Sequence, residues 1–134
     1  MIGAVAAVVA MAGSSAVGSS PAAERASTKT VDVEDDFFAP DELKIAKGTK
    51  VAFKWNKVNG NSHNVTLRTG PKGVKKGCPK KGKDAFSPLI SICNKSSTGA
   101  VGIKFTKKFD VSGTYDFLCT IHPDIMTITV KVKK

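Results

Sequence analysis

Gly113-Thr114-Tyr115-Asp116-Phe117-Leu118-Cys119-Thr120-Ile121-His122-Pro123-Asp124-Ile125-Met126-Thr127-Ile128-Thr129-Val130-Lys131-Val132 decides how this chain folds. Tyr115, Phe117 and Cys119 alternate with polar or smaller neighbours after the Ser112-Gly113 turn. Met126, Ile128, Val130 and Val132 alternate with Thr127, Thr129 and Lys131. Side chains of a strand point to opposite faces in turn, so each run reads as a half-buried strand. Moving upstream, the same period of two recurs at Val31/Val33, Leu43/Ile45, Val51/Phe53/Trp55, His63/Val65/Leu67 and Ile103/Phe105. Turn signals such as Gly48 separate these sets, and no stretch of comparable length has helical period. About seven to eight short strands predict an all-β, antiparallel β-sandwich or barrel. Trp55 and Tyr115, with Phe37 and Phe38, are the expected core aromatics.

The chain has 134 residues, 41% of them hydrophobic and 24% charged, which excludes a globally disordered chain. Its 21 Lys+Arg against 11 Asp+Glu leave a net charge of +10, a bias toward anionic partners. Residues 1–23 carry no charged side chain. The apolar run Ile2–Ala12 is followed by a Ser-, Ala- and Gly-rich zone, the pattern of a signal-peptide core and its cleavage region. The run is too short for the roughly 20 residues of a membrane-spanning helix. The expectation is a signal peptide and linker over 1–28, a single domain over 29–134, and an exported protein, periplasmic or extracellular. The basic residues that usually precede such a core are missing.

Residues 69–100 have no alternation over a length unusual for a plain connection, and form an expected insert. Its first half, with the preceding Arg68, carries Lys72, Lys75, Lys76, Lys80, Lys81 and Lys83 and no acid. Cys78 and Cys93 lie in this segment, which makes them an expected disulfide and leaves Cys119 as the odd thiol. Ser87-Pro88 fits the start of one short helical turn. The apolar half then docks, and the basic half faces solvent as a candidate docking patch or simply as a solvated loop.

Beyond the leader, the remaining histidines, the unpaired cysteine and the last methionine are His63, Cys119, His122 and Met126. Parity turns His63, Cys119 and Met126 into the sandwich, with His122 in the turn between the last two strands. One thiolate and two imidazoles with a weak thioether suit copper cycling between Cu(I) and Cu(II). Zinc sites rarely recruit methionine. A Cys119–His122 nucleophile pair is disfavoured, because no third group or oxyanion-hole signature accompanies it.

These motifs, Asn61-Ser62-His63-Asn64-Val65 and the stretch from Gly113 to Met126, resemble the cupredoxins, the small blue copper proteins, most closely their amicyanin/plastocyanin-like branch. The resemblance spans about Thr30–Lys134 apart from the insert. It implies a Greek-key sandwich and one mononuclear type 1 copper held by His63, Cys119, His122 and Met126. Asn64 and Thr120 would tie the two ligand loops together. Three residues, Pro123, Asp124 and Ile125, separate His122 from Met126, as in azurin-like loops; amicyanin-like loops have two and plastocyanin-like loops four.

The expected function is a one-electron carrier rather than an enzyme, a monomer that meets a redox protein with an acidic docking face. Copper buffering or delivery is the alternative, as is a basic module that binds polyanions or associates loosely with an anionic surface. Nucleic acid is disfavoured, since no aromatics interleave the basic stretch.

Overall fold

The computed structural model describes residues 27–76 and 94–134. The expected leader, Cys78 and Cys93, Lys80, Lys81, Lys83 and the Ser87-Pro88 turn lie outside the described residues. Eight strands form two four-stranded sheets. The first sheet has the order β2 (Phe37–Ala39), β1 (Thr28–Glu34), β4 (Lys50–Trp55), β6 (Lys104–Lys108). The second has the order β3 (Glu42–Ala46), β8 (Thr127–Lys133), β7 (Gly113–Leu118), β5 (Thr66–Thr69). The all-β sandwich matches the sequence reading. Pairing direction adds detail: β1·β4 and β3·β8 are parallel, and the other ladders are antiparallel.

The period of two builds the core directly. Val31 and Val33 of β1, Val51, Phe53 and Trp55 of β4, and Tyr115 and Phe117 of β7 are buried, as are Ile128, Val130 and Val132 of β8. Phe53 touches both Phe105 and Phe117, with ring centroids 5.5 and 6.0 Å apart, and so joins the sheets through their centre. Full burial of such a side chain contributes about 1.5–3 kcal/mol.

Three details differ from the sequence reading. Phe38 is buried but Phe37 is 51% exposed, because adjacent residues of β2 face opposite ways. His63 and Val65 are buried without belonging to a named strand; β5 begins at Thr66. The returning limb of the insert is ordered beside them. His63 and Thr66 make antiparallel bridges to Gly99 and Lys95, and the Val65 N–H donates to the Ser96 hydroxyl at 2.8 Å. That limb is Asn-Lys-Ser-Ser-Thr-Gly, whose polar side chains carry no alternating signal.

One inward position is occupied by a base. Lys107 shares the inner face of β6 with Phe105 and lies with Nζ 5.4 Å from the Phe109 ring centroid. Burial lowers its pKa to about 8, opposed in part by Asp110.

Candidate metal centre

Two loops at one end of the sandwich bring His63, Cys119 and His122 together. Their donor atoms lie within 4.8 Å of one another, with Cys119 Sγ 3.9 Å from His122 Nδ1. Two metal–ligand bonds of about 2.0–2.3 Å laid end to end span that range to within a few tenths of an ångström. Cys119 leaves β7 at the last inward position and is fully buried, with a free thiol. Backbone bonds then close the loop upon itself. The His122 N–H donates to the Cys119 carbonyl, and the Met126 N–H to the His122 carbonyl. The Cys119 N–H in turn donates to the Met126 carbonyl at 3.0 Å. Met126 is itself fully buried, where β8 begins.

His63 is held from two directions. Its backbone N–H donates to the Gly99 carbonyl at 3.0 Å, which also accepts from the Trp55 indole at 3.0 Å. Its Nε2 lies 2.9 Å from Asp35 Oδ1. Asp35 sits in the β1–β2 turn and accepts from the Gly60 and Asn61 N–H groups. The Gly60 N–H, then His63, then the Asn61 N–H lower the Asp35 pKa to about 2. An ionised carboxylate only accepts, so in the neutral ring Nε2 carries the hydrogen and Nδ1 keeps its lone pair. That Nδ1 is buried and has no hydrogen-bond partner. An unmade bond on such an atom costs about 1–3 kcal/mol, a cost that metal coordination would remove. The donor set therefore fits a soft, imidazole-accepting metal such as copper.

Asn64 ties the two loops. Its backbone N–H points at Cys119 Sγ from 3.5 Å, its carboxamide donates to the Thr120 hydroxyl at 2.7 Å, and its carbonyl accepts from the Thr120 N–H at 3.0 Å. These bonds join the 63–66 segment to the loop that follows β7. His122 is partly open, with 23% of its side chain accessible, and its Nε2 lies 3.3 Å from Asp36. Ile121 and Ile125 beside it are exposed.

Asp35 and Asp36 were not among the residues singled out from sequence. The available signal was an acidic pair at a hairpin turn, where Asp36 takes φ 69°. Asp and Asn tolerate that left-handed region better than most residues. Nothing local says that the turn reaches a histidine 28 positions further on. Arg68, Lys72, Lys75 and Lys76 are exposed, on β5 and the turn that leads away from the ligand loops toward Gly113.

A β-sandwich carrying two imidazoles and a thiol at one pole defines a candidate metalloprotein of the soft-donor kind. The chain belongs to the plastocyanin/azurin family of copper-binding proteins, whose model matches residues 26–133. It is 33% identical over 86 residues to amicyanin-alpha of Methylorubrum extorquens, a match covering 64% of this chain and 56% of the relative's length. The fold is similar to that of amicyanin from Paracoccus versutus, with TM-score 0.54 and 21% identity over 79% of this chain and 81% of that one. A purple cupredoxin from Nitrosopumilus maritimus is similar at TM-score 0.53 and 18% identity, over 78% and 99% of the two chains. Similar solved amicyanin variants include a reduced Cu(I) form and an oxidised form.

Proposed function

We propose that this protein is an exported one-electron carrier with a single type 1 copper site formed by His63, Cys119, His122 and Met126. The observation that carries the reading is the cluster of His63, Cys119 and His122, whose donor atoms lie within 4.8 Å of one another, together with a His63 Nδ1 that is buried and has no hydrogen-bond partner. Copper held there supplies a Cu(I)/Cu(II) couple that gives or takes one electron. The chain's part is to keep one geometry for both states. The Cys119 thiolate is shielded from solvent and faces the Asn64 N–H, which stabilises negative charge on sulfur. Asp35 fixes the ring and tautomer of His63. Met126, fully buried where β8 begins, would add a weak thioether donor. The partly open His122 edge, between exposed Ile121 and Ile125, is the electron's exit.

The role is that of a carrier rather than a catalyst, and the partner is a redox protein met transiently. An acidic partner face would be drawn to the basic stretch from Arg68 to Lys83, whose described part lies on the flank away from His122. The uncharged, apolar-then-small N-terminal segment supports export.

The test is the visible spectrum of the copper-loaded protein. An intense thiolate-to-Cu(II) charge-transfer band is expected, lost in Cys119→Ser. A colourless protein with full copper occupancy and reduced Cys119 would overturn the type 1 assignment. Readily exchanged copper together with slow electron self-exchange would favour copper delivery instead.

A further inference from the structure

The strands run between two poles of unlike charge. The pole that holds the candidate metal centre carries Glu34, Asp35, Asp36 and Asp124, with Lys54, Lys57 and Lys104 near them. At the opposite pole the ends of four strands and their turns bring lysines together. Parallel pairing sets Ala46 beside Lys133, and the Lys47 N–H donates to the Lys133 carbonyl at 3.2 Å. Lys50 sits opposite Lys108 on one side and beside Thr28 on the other. Between these ladders lies a cleft of about 260 Å³ lined by Lys29, Lys44 and Lys133 with Ser27 and Thr49. Among the described residues, two acids answer this concentration of charge. Asp110 pairs with Lys108 at 3.3 Å, and Glu42 is shared by Lys44 and Lys131 at 3.5 and 3.2 Å. Lys29, Lys47, Lys50 and Lys133 have no ion pair of this kind among the described residues.

We propose that this lysine pole docks the protein on an anionic lipid surface, with lipid phosphates seated at the Lys29–Lys44–Lys133 cleft and the metal pole turned away. Composition argues for a lipid surface over a protein partner. Protein interfaces are enriched in Arg and aromatics and depleted in Lys, whereas among the described residues this pole presents lysines, without arginine or an exposed aromatic. Lysine is a compact, mobile point charge, suited to a diffuse field of phosphates rather than a fixed bidentate partner. Ser27, where the described residues begin, lines the same cleft. Docking by the lysine pole would leave the His122 edge, at the far end, open to a second protein. The inference does not depend on which metal the site holds.

Flotation of the full chain with vesicles tests it. Phosphatidylcholine vesicles report any binding by the apolar run alone, and vesicles that also contain phosphatidylglycerol report the lysines. Selective binding to the anionic vesicles is expected, and it should collapse as the Debye length falls from about 10 Å at 0.1 M salt to about 3 Å at 1 M. The triple variant Lys29→Gln, Lys47→Gln, Lys133→Gln should lose on the order of 100-fold in partitioning, at roughly one surface-lysine contribution each. The matched triple Lys54→Gln, Lys57→Gln, Lys104→Gln, with the same charge change near the other pole, should lose far less. Thermal midpoints of both triples confirm that they are folded. Equal loss in the two variants would overturn the proposal in favour of net charge alone. Absence of selectivity for anionic vesicles would overturn it outright. Displacement by inorganic phosphate at constant ionic strength would make the cleft a small-anion site instead of a lipid-docking pole.

Discussion

Asp35 and Lys107 show how one side chain can be set by groups far away in sequence. Asp35 binds two backbone N–H groups and the far nitrogen of His63, so it acts through that ring. Asp35→Ala should lower copper affinity by about 10–100-fold, the usual cost of losing a group that orients a ligand. Competition with a chelator of known affinity checks this, and a shift of the charge-transfer band separates ring misplacement from unfolding. Lys107 is a different case, because its charge opposes folding. Its folded pKa of about 8 lies below the unfolded value, so between about 8 and 10.5 the unfolded chain binds more protons. Stability from this group therefore rises with pH across that window. Below it, the buried ammonium costs on the order of 2–3 kcal/mol. Lys107→Met should raise unfolding free energy at pH 7 by part of that amount. Denaturant titrations should find the gap between variant and parent narrowing by pH 10, and a gap constant with pH would refute the assignment.

At the scale of elements, β7 and its flanking turns carry the most. Its start is pinned by the Tyr115 hydroxyl, which donates to the Val111 carbonyl at 2.7 Å. Its end delivers Cys119 into the candidate site. Between them Gly113 takes φ 135°, and a Cβ there would lie 2.6 Å from Pro71 Cγ. Both the dihedral and the contact exclude a side chain. Gly113→Ala should destabilise by about 1–3 kcal/mol, the range for a strained backbone residue. The loss should appear in thermal unfolding of the apoprotein, since the defect lies at the pole away from the metal. The β1–β2 hairpin is the other decisive element. It is three residues wide at β2, yet its turn supplies the carboxylates at both histidines.

For the whole molecule, the cysteines divide the labour. Cys119 is a free buried thiol, which leaves Cys78 and Cys93 for the disulfide proposed within the insert. Peptide mapping without reductant should recover these two joined. Reducing them should cost up to about 3 kcal/mol for a ring of some 15 residues in the chain-entropy model. Recovery of Cys119 in a native disulfide would remove both this pairing and the thiolate ligand. The charge of +10 is likewise unevenly divided, with lysines little offset by acids at one pole and mixed with Glu34, Asp35, Asp36 and Asp124 near the metal centre at the other. A summed charge reports none of that segregation, because it follows from which strand ends share a pole.

Alternation along the chain was enough to determine the all-β class, the inward parity of Cys119 and Met126, and the core set from Val31 to Val132. Period two is a local property of the backbone, and burial on one face imprints it on sequence. The cluster of His63, Cys119 and His122 was legible as well, since scarce His and Cys residues stand at recognisable places in the strand pattern. Only the tertiary structure decided that β1·β4 and β3·β8 pair in parallel, that Ser96 and Gly99 serve the 63–66 segment, and that Asp35 reaches His63. These are relations between segments distant in the chain. Hydrogen bonds between such segments leave no period behind them, because any polar residue at either end satisfies the local pattern equally well.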